Sequence, residues 1–213
     1  MNQTLEVRWF YDGAPPVGVV EWFTSLAPRQ QPEREDLYLI SDDPSLNVKL
    51  RDGTIQLKRN SGDRPETTFT NEVRGIREYW QKWSFPLTDN APDLFQDDPS
   101  GLWLSVVKSR LQRRYTPDEQ RALLDTLDEP DPAHALVELT RITHGAHTAW
   151  TICMEAEGRL QALPGTLRQM GRHVFGQGTP PQLTPSHSFG YVRWLERIAG
   201  TDEVVIPDGI QAF

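Results

Sequence analysis

The most regular alternation of apolar and polar positions lies between Leu46 and Arg59. Leu46, Val48 and Leu50 alternate with Asn47, Lys49 and Arg51; beyond Asp52-Gly53, Ile55 and Leu57 alternate with Thr54, Gln56 and Lys58. Successive side chains on a strand point to opposite faces, so the stretch reads as a hairpin. One face is aliphatic, and the other carries Lys49 and Arg51 together. Asp-Gly marks the turn because a tight hairpin needs positive φ at its centre. The cationic face is either washed by solvent or lines a cavity that holds an anion, and the hairpin alone leaves both open.

Similar alternation predicts strands over residues 4–10 (TLEVRWF), 36–41 (DLYLIS), 76–85 (IREYWQKWSF), 102–115, 135–143 and 148–157. Helical spacing is found at Val19, Trp22, Phe23 and Leu26. Thr116-Pro117-Asp118-Glu119 is a capping-box signature that opens a helix to about Leu127. Two further helices are expected: one from Leu160 to Val174, interrupted at Pro164-Gly165, and one over about 188–199, with Val192, Leu195 and Ile198 facing inward. Residues 60–72 and 86–101 read as loops, and the tail EVVIP as a short edge segment. About eight strands and a few helices in 213 residues point to an α+β fold: an antiparallel β-barrel of the tunnel type with peripheral helices, one domain over 1–213.

Charge changes this picture in one respect. The net charge of −8 argues against general nucleic-acid binding, which draws on a basic footprint. Yet the acids crowd the connections, while bases recur with period two on separate strands: Arg8, Lys49 with Arg51, Lys58, and Lys108 with Arg110, with Lys82 a further contributor. A barrel would turn such faces into a basic lumen and leave the aliphatic faces for helices to cover. No stretch approaches the roughly 18 apolar residues of a membrane span. The start MNQTLEVRWF has no secretory pattern, and Cys153 is the single cysteine, so a cytoplasmic location is expected. Cys153 reads as buried filling among apolar neighbours.

In order along the chain, these pieces resemble the CYTH domains, or triphosphate tunnel metalloenzymes, a family that includes thiamine triphosphatases, class IV adenylyl cyclases and inorganic tripolyphosphatases. TLEVRWF resembles the family's opening ExExK strand, LNVKLRDGTIQLKR its RxR strand and the lysine-ending strand after it, IREYWQKW its ExE strand, and VVKSRLQRR its KxR strand. VELTRI and TICMEAE resemble its later acidic strands, and SFGYVRWLERI its C-terminal helix. The resemblance implies an eight-stranded barrel that grips a triphosphate with Arg8, Lys49, Arg51, Lys58, Lys108 and Arg110. It also implies a divalent metal, Mg²⁺ or Mn²⁺, held by Glu6, Glu138, Glu155 and Glu157, with Glu6 and Glu138 as the catalytic acids. The chain departs from the pattern at Thr4, Trp80 and Thr140, where acids are expected. Glu155 and Glu157 are expected near the rim.

Three functions therefore stand side by side. The lumen binds a phosphorylated small molecule or inorganic polyphosphate, with catalysis impaired by the missing acids; or it is an active metal-dependent triphosphatase; or the barrel serves a protein partner. The resemblance permits a homodimer, and neither nucleic acid nor membrane is an expected partner.

Overall fold

The computed structural model describes residues 2–87, 101–123, 133–178 and 180–199. Among these residues nine strands run β1 (Asn2–Asp12), β2 (Arg29–Leu39), β3 (Leu46–Arg51), β4 (Thr54–Asn60), β5 (Glu66–Thr68), β6 (Arg74–Pro86), β7 (Trp103–Tyr115), β8 (His134–His144) and β9 (His147–Glu157). The helices are α1 (Val17–Ser25), α2 (Pro117–Leu123), α3 (Leu163–Phe175) and α4 (Tyr191–Ala199). The sheet order β1-β9-β8-β7-β2-β3-β4-β6 closes on itself through β6 and β1, where Glu6 pairs with Glu78 and Val7 with Arg77. The result is a closed antiparallel barrel of eight strands, with β5 added along β6. Closure leaves no unpaired edge on the barrel.

The alternation seen in the sequence sorts side chains between two interiors. Leu5, Val7 and Trp9 of β1, Val137 and Leu139 of β8, and Ile152 and Met154 of β9 point outward, where α3 covers them with Leu163, Leu167, Met170, Val174 and Phe175. Burying each such side chain contributes about 1.5–3 kcal/mol. Gly171 on the same face of α3 lies so close to the Phe69 ring that a Cβ would run into it.

The second interior is the lumen. Toward one end Phe10, Tyr38, Val106, Ile142 and Ala149 point inward and meet Phe189, Trp194, Leu195 and Ile198 of the α4 segment. That end is filled and apolar. Toward the other end the same strand faces become polar and charged.

Several boundaries differ from the sequence expectation. β2 starts at Arg29 rather than residue 36, because RQQPERED has no apolar alternation to reveal it. Its register against β7 shifts between Gln31 and Arg34, a bulge that accommodates Pro32. β5 falls in the stretch read as a loop. Pro164-Gly165 opens α3 instead of interrupting it, since proline in the first turn gives up no helical hydrogen bond. The C-terminal helix begins at Tyr191, and Ser188 instead ties the preceding segment to β6, its hydroxyl oxygen accepting from the Ile76 N–H at 2.8 Å. The capping box forms: Glu119 Oε2 accepts from the Thr116 N–H at 2.9 Å, and Thr116 Oγ1 from the Glu119 N–H at 3.3 Å. The end of that helix at 124–127, most of the loop 86–101 and the tail EVVIP lie outside the described residues.

Candidate functional site

The polar part of the lumen is a cavity of about 300 Å³. All seven cations that the strand pattern singled out line it: Arg8, Lys49, Arg51, Lys58, Lys82, Lys108 and Arg110. So do the four acids Glu6, Glu138, Glu155 and Glu157. The hairpin turn that places Lys49 and Arg51 has Asp52 and Gly53 both at positive φ, with Arg51 paired to Thr54. Glu155 is drawn further in than expected, opposite Glu6 in the β1–β9 register, whereas Glu157 stays nearer the open end with its side chain 37% exposed.

Sequence reasoning missed Arg34, Tyr38, Arg114 and Tyr191, which also line the cavity, and Asp36, which lies fully buried behind it. Asp36 and Tyr38 share the lumen face of β2, and their alternation with Leu37 and Leu39 was visible. Arg34 reaches the same face from just beyond the bulge, where no periodicity announces it.

Asp36 organises the basic wall. Its carboxylate accepts from Lys108 Nζ at 2.7 Å and Lys49 Nζ at 3.4 Å, and Arg34 Nε lies 3.4 Å away. Burial would raise its pKa, but these three cations hold it far below the usual carboxylate range. Lys108 donates also to the Tyr38 hydroxyl, and its ammonium sits over the Tyr38 ring at 4.5 Å and the Tyr191 ring at 4.1 Å. One carboxylate does not neutralise this group. Burial pulls Lys108 down to about 8 despite Asp36. Burial and the neighbouring Lys108 pull Lys49 well below its ordinary value, and burial with Lys58 and Arg51 lowers Lys82. Nine cations and four carboxylates line the cavity; with Asp36 counted, four positive charges remain in excess. Charges gathered out of water without equal compensation are costly, and a bound anion relieves that cost.

The acids lie mainly along β1, β8 and β9. Burial raises Glu138, but Arg8 at 3.6 Å, Gln112 donating at 2.5 Å and Thr140 Oγ1 donating at 2.7 Å hold it at about 2. Glu78, buried on the same face of β6, is paired with Arg64 and accepts from Trp80 Nε1 at 3.2 Å. Two of the three positions where the resemblance called for acids thus carry donors, Thr140 and Trp80, that bond the acid remaining beside them. At the third, Thr4 Oγ1 is buried without a hydrogen-bond partner.

Glu6, Cys153 and Glu155 each bring one donor atom within 4.8 Å of the others and could together hold a metal ion. Cys153 is buried as expected, but on the lumen wall opposite Arg8 rather than among apolar side chains. Burial pushes its thiol well up. Mg²⁺ and Mn²⁺ favour all-oxygen donor sets, and Glu6 Oε2 already lies 3.8 Å from Lys58 Nζ. The group fits those ions poorly. Glu138 stands outside it, committed to Arg8, Gln112 and Thr140, and Glu157 lies 4.0 Å from Arg114.

No family model and no curated protein matches the chain. Among solved structures it aligns with the PH1819 protein from Pyrococcus horikoshii OT3 over 93% of this chain and 99% of that one, at 13% identity and a TM-score of 0.49. A likeness that loose leaves the site to be read from its own residues. Among the described residues no helix is long and apolar enough to cross a membrane.

Proposed function

We propose that the lumen binds a phosphorylated or polyanionic small molecule, with a triphosphate as the reference ligand, and that it does so without metal-dependent hydrolysis. The observation that carries this reading is the uncompensated basic wall, in which Lys49, Lys82 and Lys108 all have lowered pKa values. A self-satisfied ion-pair network, the arrangement a barrel kept only for a protein partner would tolerate, has no reason to carry four excess cations. Arg34, Arg51 and Arg110 offer planar forks and Lys49 and Lys108 compact charges, both suited to phosphate oxygens. The resemblance to the triphosphate tunnel family supports the same ligand class. Against catalysis of that family's kind stand the commitment of Glu138 to Arg8, Gln112 and Thr140 and the thiol in the acidic cluster, because phosphoryl transfer of that type uses metal for charge neutralisation.

The test is thermal unfolding with inorganic tripolyphosphate, with and without Mg²⁺, on the wild-type chain and on Lys49→Met/Arg51→Met. A ligand bound only to the folded state adds about 2.7 kcal/mol of stability at a hundredfold excess over its Kd. The expected result is a rise in Tm that needs no metal and is largely lost in the double variant. A rise only with Mg²⁺, accompanied by phosphate release, would replace this reading with the triphosphatase. No rise in either condition would abandon the lumen as a site.

A further inference from the structure

The lumen is not evenly cationic, and its less cationic wall bears on what the ligand carries besides phosphate. The excess positive charge gathers around Asp36 on β2, β3 and β7. Across the barrel, β1 and β9 place Glu6 directly opposite Glu155 in register, with Cys153 one lumen position away. Glu6 is 5% exposed, and its Oε2 is buried without a hydrogen-bond donor. Its cationic neighbours stand at ion-pair rather than hydrogen-bond distance, Lys58 Nζ at 3.8 Å and Arg8 Nη2 at 4.0 Å. Glu155 lines the same cavity beside Glu6. An enclosed carboxylate with an unused acceptor is costly unless a donor reaches it. Fixed carboxylates along one wall would also repel a bare polyphosphate that filled the whole cavity.

Resting on the anion-binding reading above, we propose that the ligand is a phosphorylated amine, with its phosphate on the Asp36-centred basic wall and its ammonium or amine N–H groups donating to Glu6 and Glu155. The two walls then recognise the two ends of one small molecule. Carboxylates that would weaken a symmetric polyphosphate site become the specificity element of a bipolar one.

The experiment measures affinity by calorimetry for a series of α,ω-aminoalkyl phosphates of two to five carbons, each against the alkyl phosphate of equal length, with inorganic tripolyphosphate as reference. A hydrogen bond to a charged group strengthens binding by about tenfold to a hundredfold, so the best-fitting amine should bind about tenfold or more tighter than its alkyl counterpart. In Glu155→Gln, and separately in Glu6→Gln, that ratio should fall toward one; two variants keep the test open if one fails to fold. Equal affinities for amine and alkyl phosphates at every length, with tripolyphosphate still bound, would overturn the bipolar ligand while leaving the anion site intact. A preference for tripolyphosphate with a divalent metal, lost in the same variants, would overturn it too and assign the pair to the metal. Binding of none of these anions would end both readings together.

Discussion

Raising the pH from 7 to 9 should stabilise the unliganded protein and weaken its hold on an anion. Lys108 is 2% exposed and titrates at about 8 in the fold, against 10.5 for an ordinary lysine. Between those values the unfolded chain binds a proton that the folded chain does not, so stability rises with pH. Below about 8 both states are protonated, and the fold bears the full cost of the buried ammonium. From pH 7 to 9, close to one pH unit of this window is traversed, which amounts to about 1 kcal/mol from Lys108 alone. Lys49, lowered by burial and by Lys108, and Lys82, lowered by burial and Lys58, act in the same direction. Cys153 begins to oppose this within the last unit of the range and Tyr38 joins it above pH 9, because both, pushed up by burial, keep their protons in the fold after the unfolded chain has lost them. The range is therefore closed at 9. Anion affinity follows the opposite course, since the ammonium lost is one the anion needs; it should fall by up to about tenfold per pH unit for each proton that binding must restore. Denaturant unfolding and sulfate titration across this range check both limbs, sulfate keeping its two charges throughout. Lys108→Met should flatten the stability slope, an apolar side chain there adding no titrating group. A wild-type stability that is level or falling from 7 to 9, or sulfate affinity that does not weaken, would refute the account of an undercompensated basic wall.

Two further outcomes follow from the packing and the acid wall. Glu138→Gln should remove part of the loss of stability on acidification between about pH 4.5 and 2, because a carboxylate held at about 2 contributes stability above its unfolded pKa that disappears as the pH falls through the folded one; acid titration followed by circular dichroism measures it. Gly171→Ala should destabilise the protein: alanine normally gains about 1 kcal/mol over glycine in a helix, but a Cβ here meets the Phe69 ring, and overpacking costs about 1–3 kcal/mol, so a urea midpoint that rises would show the ring to be free to move.

The barrel was legible because its strands have two different faces. Leu5, Val7 and Trp9 alternate with Glu6 and Arg8, and Leu46, Val48 and Leu50 with Lys49 and Arg51, so period two was unmistakable wherever one face was aliphatic. It was silent along Arg29–Glu35, where both faces are polar, and the strand that supplies Arg34 and Asp36 was cut short as a result. The capping box at Thr116 was equally readable, being a local device of four residues.

Partnership across the lumen was a different matter. That Lys49 and Arg51 share a face follows from the sequence; that Lys49 and Lys108 share one buried carboxylate with Arg34 does not, because these residues come from three strands. Nor could composition show that Thr140 and Trp80 would serve as donors to Glu138 and Glu78, or that Cys153 would stand beside Glu6 and Glu155. The sequence by itself determined which side chains lie on which face of each strand, since that depends only on the alternation of the extended chain. Only the tertiary structure decided which charges meet, and which are left in excess, because closure and register set the neighbours of every lumen residue across the barrel, and an ion pair depends on that distance and on how far its charges are removed from water.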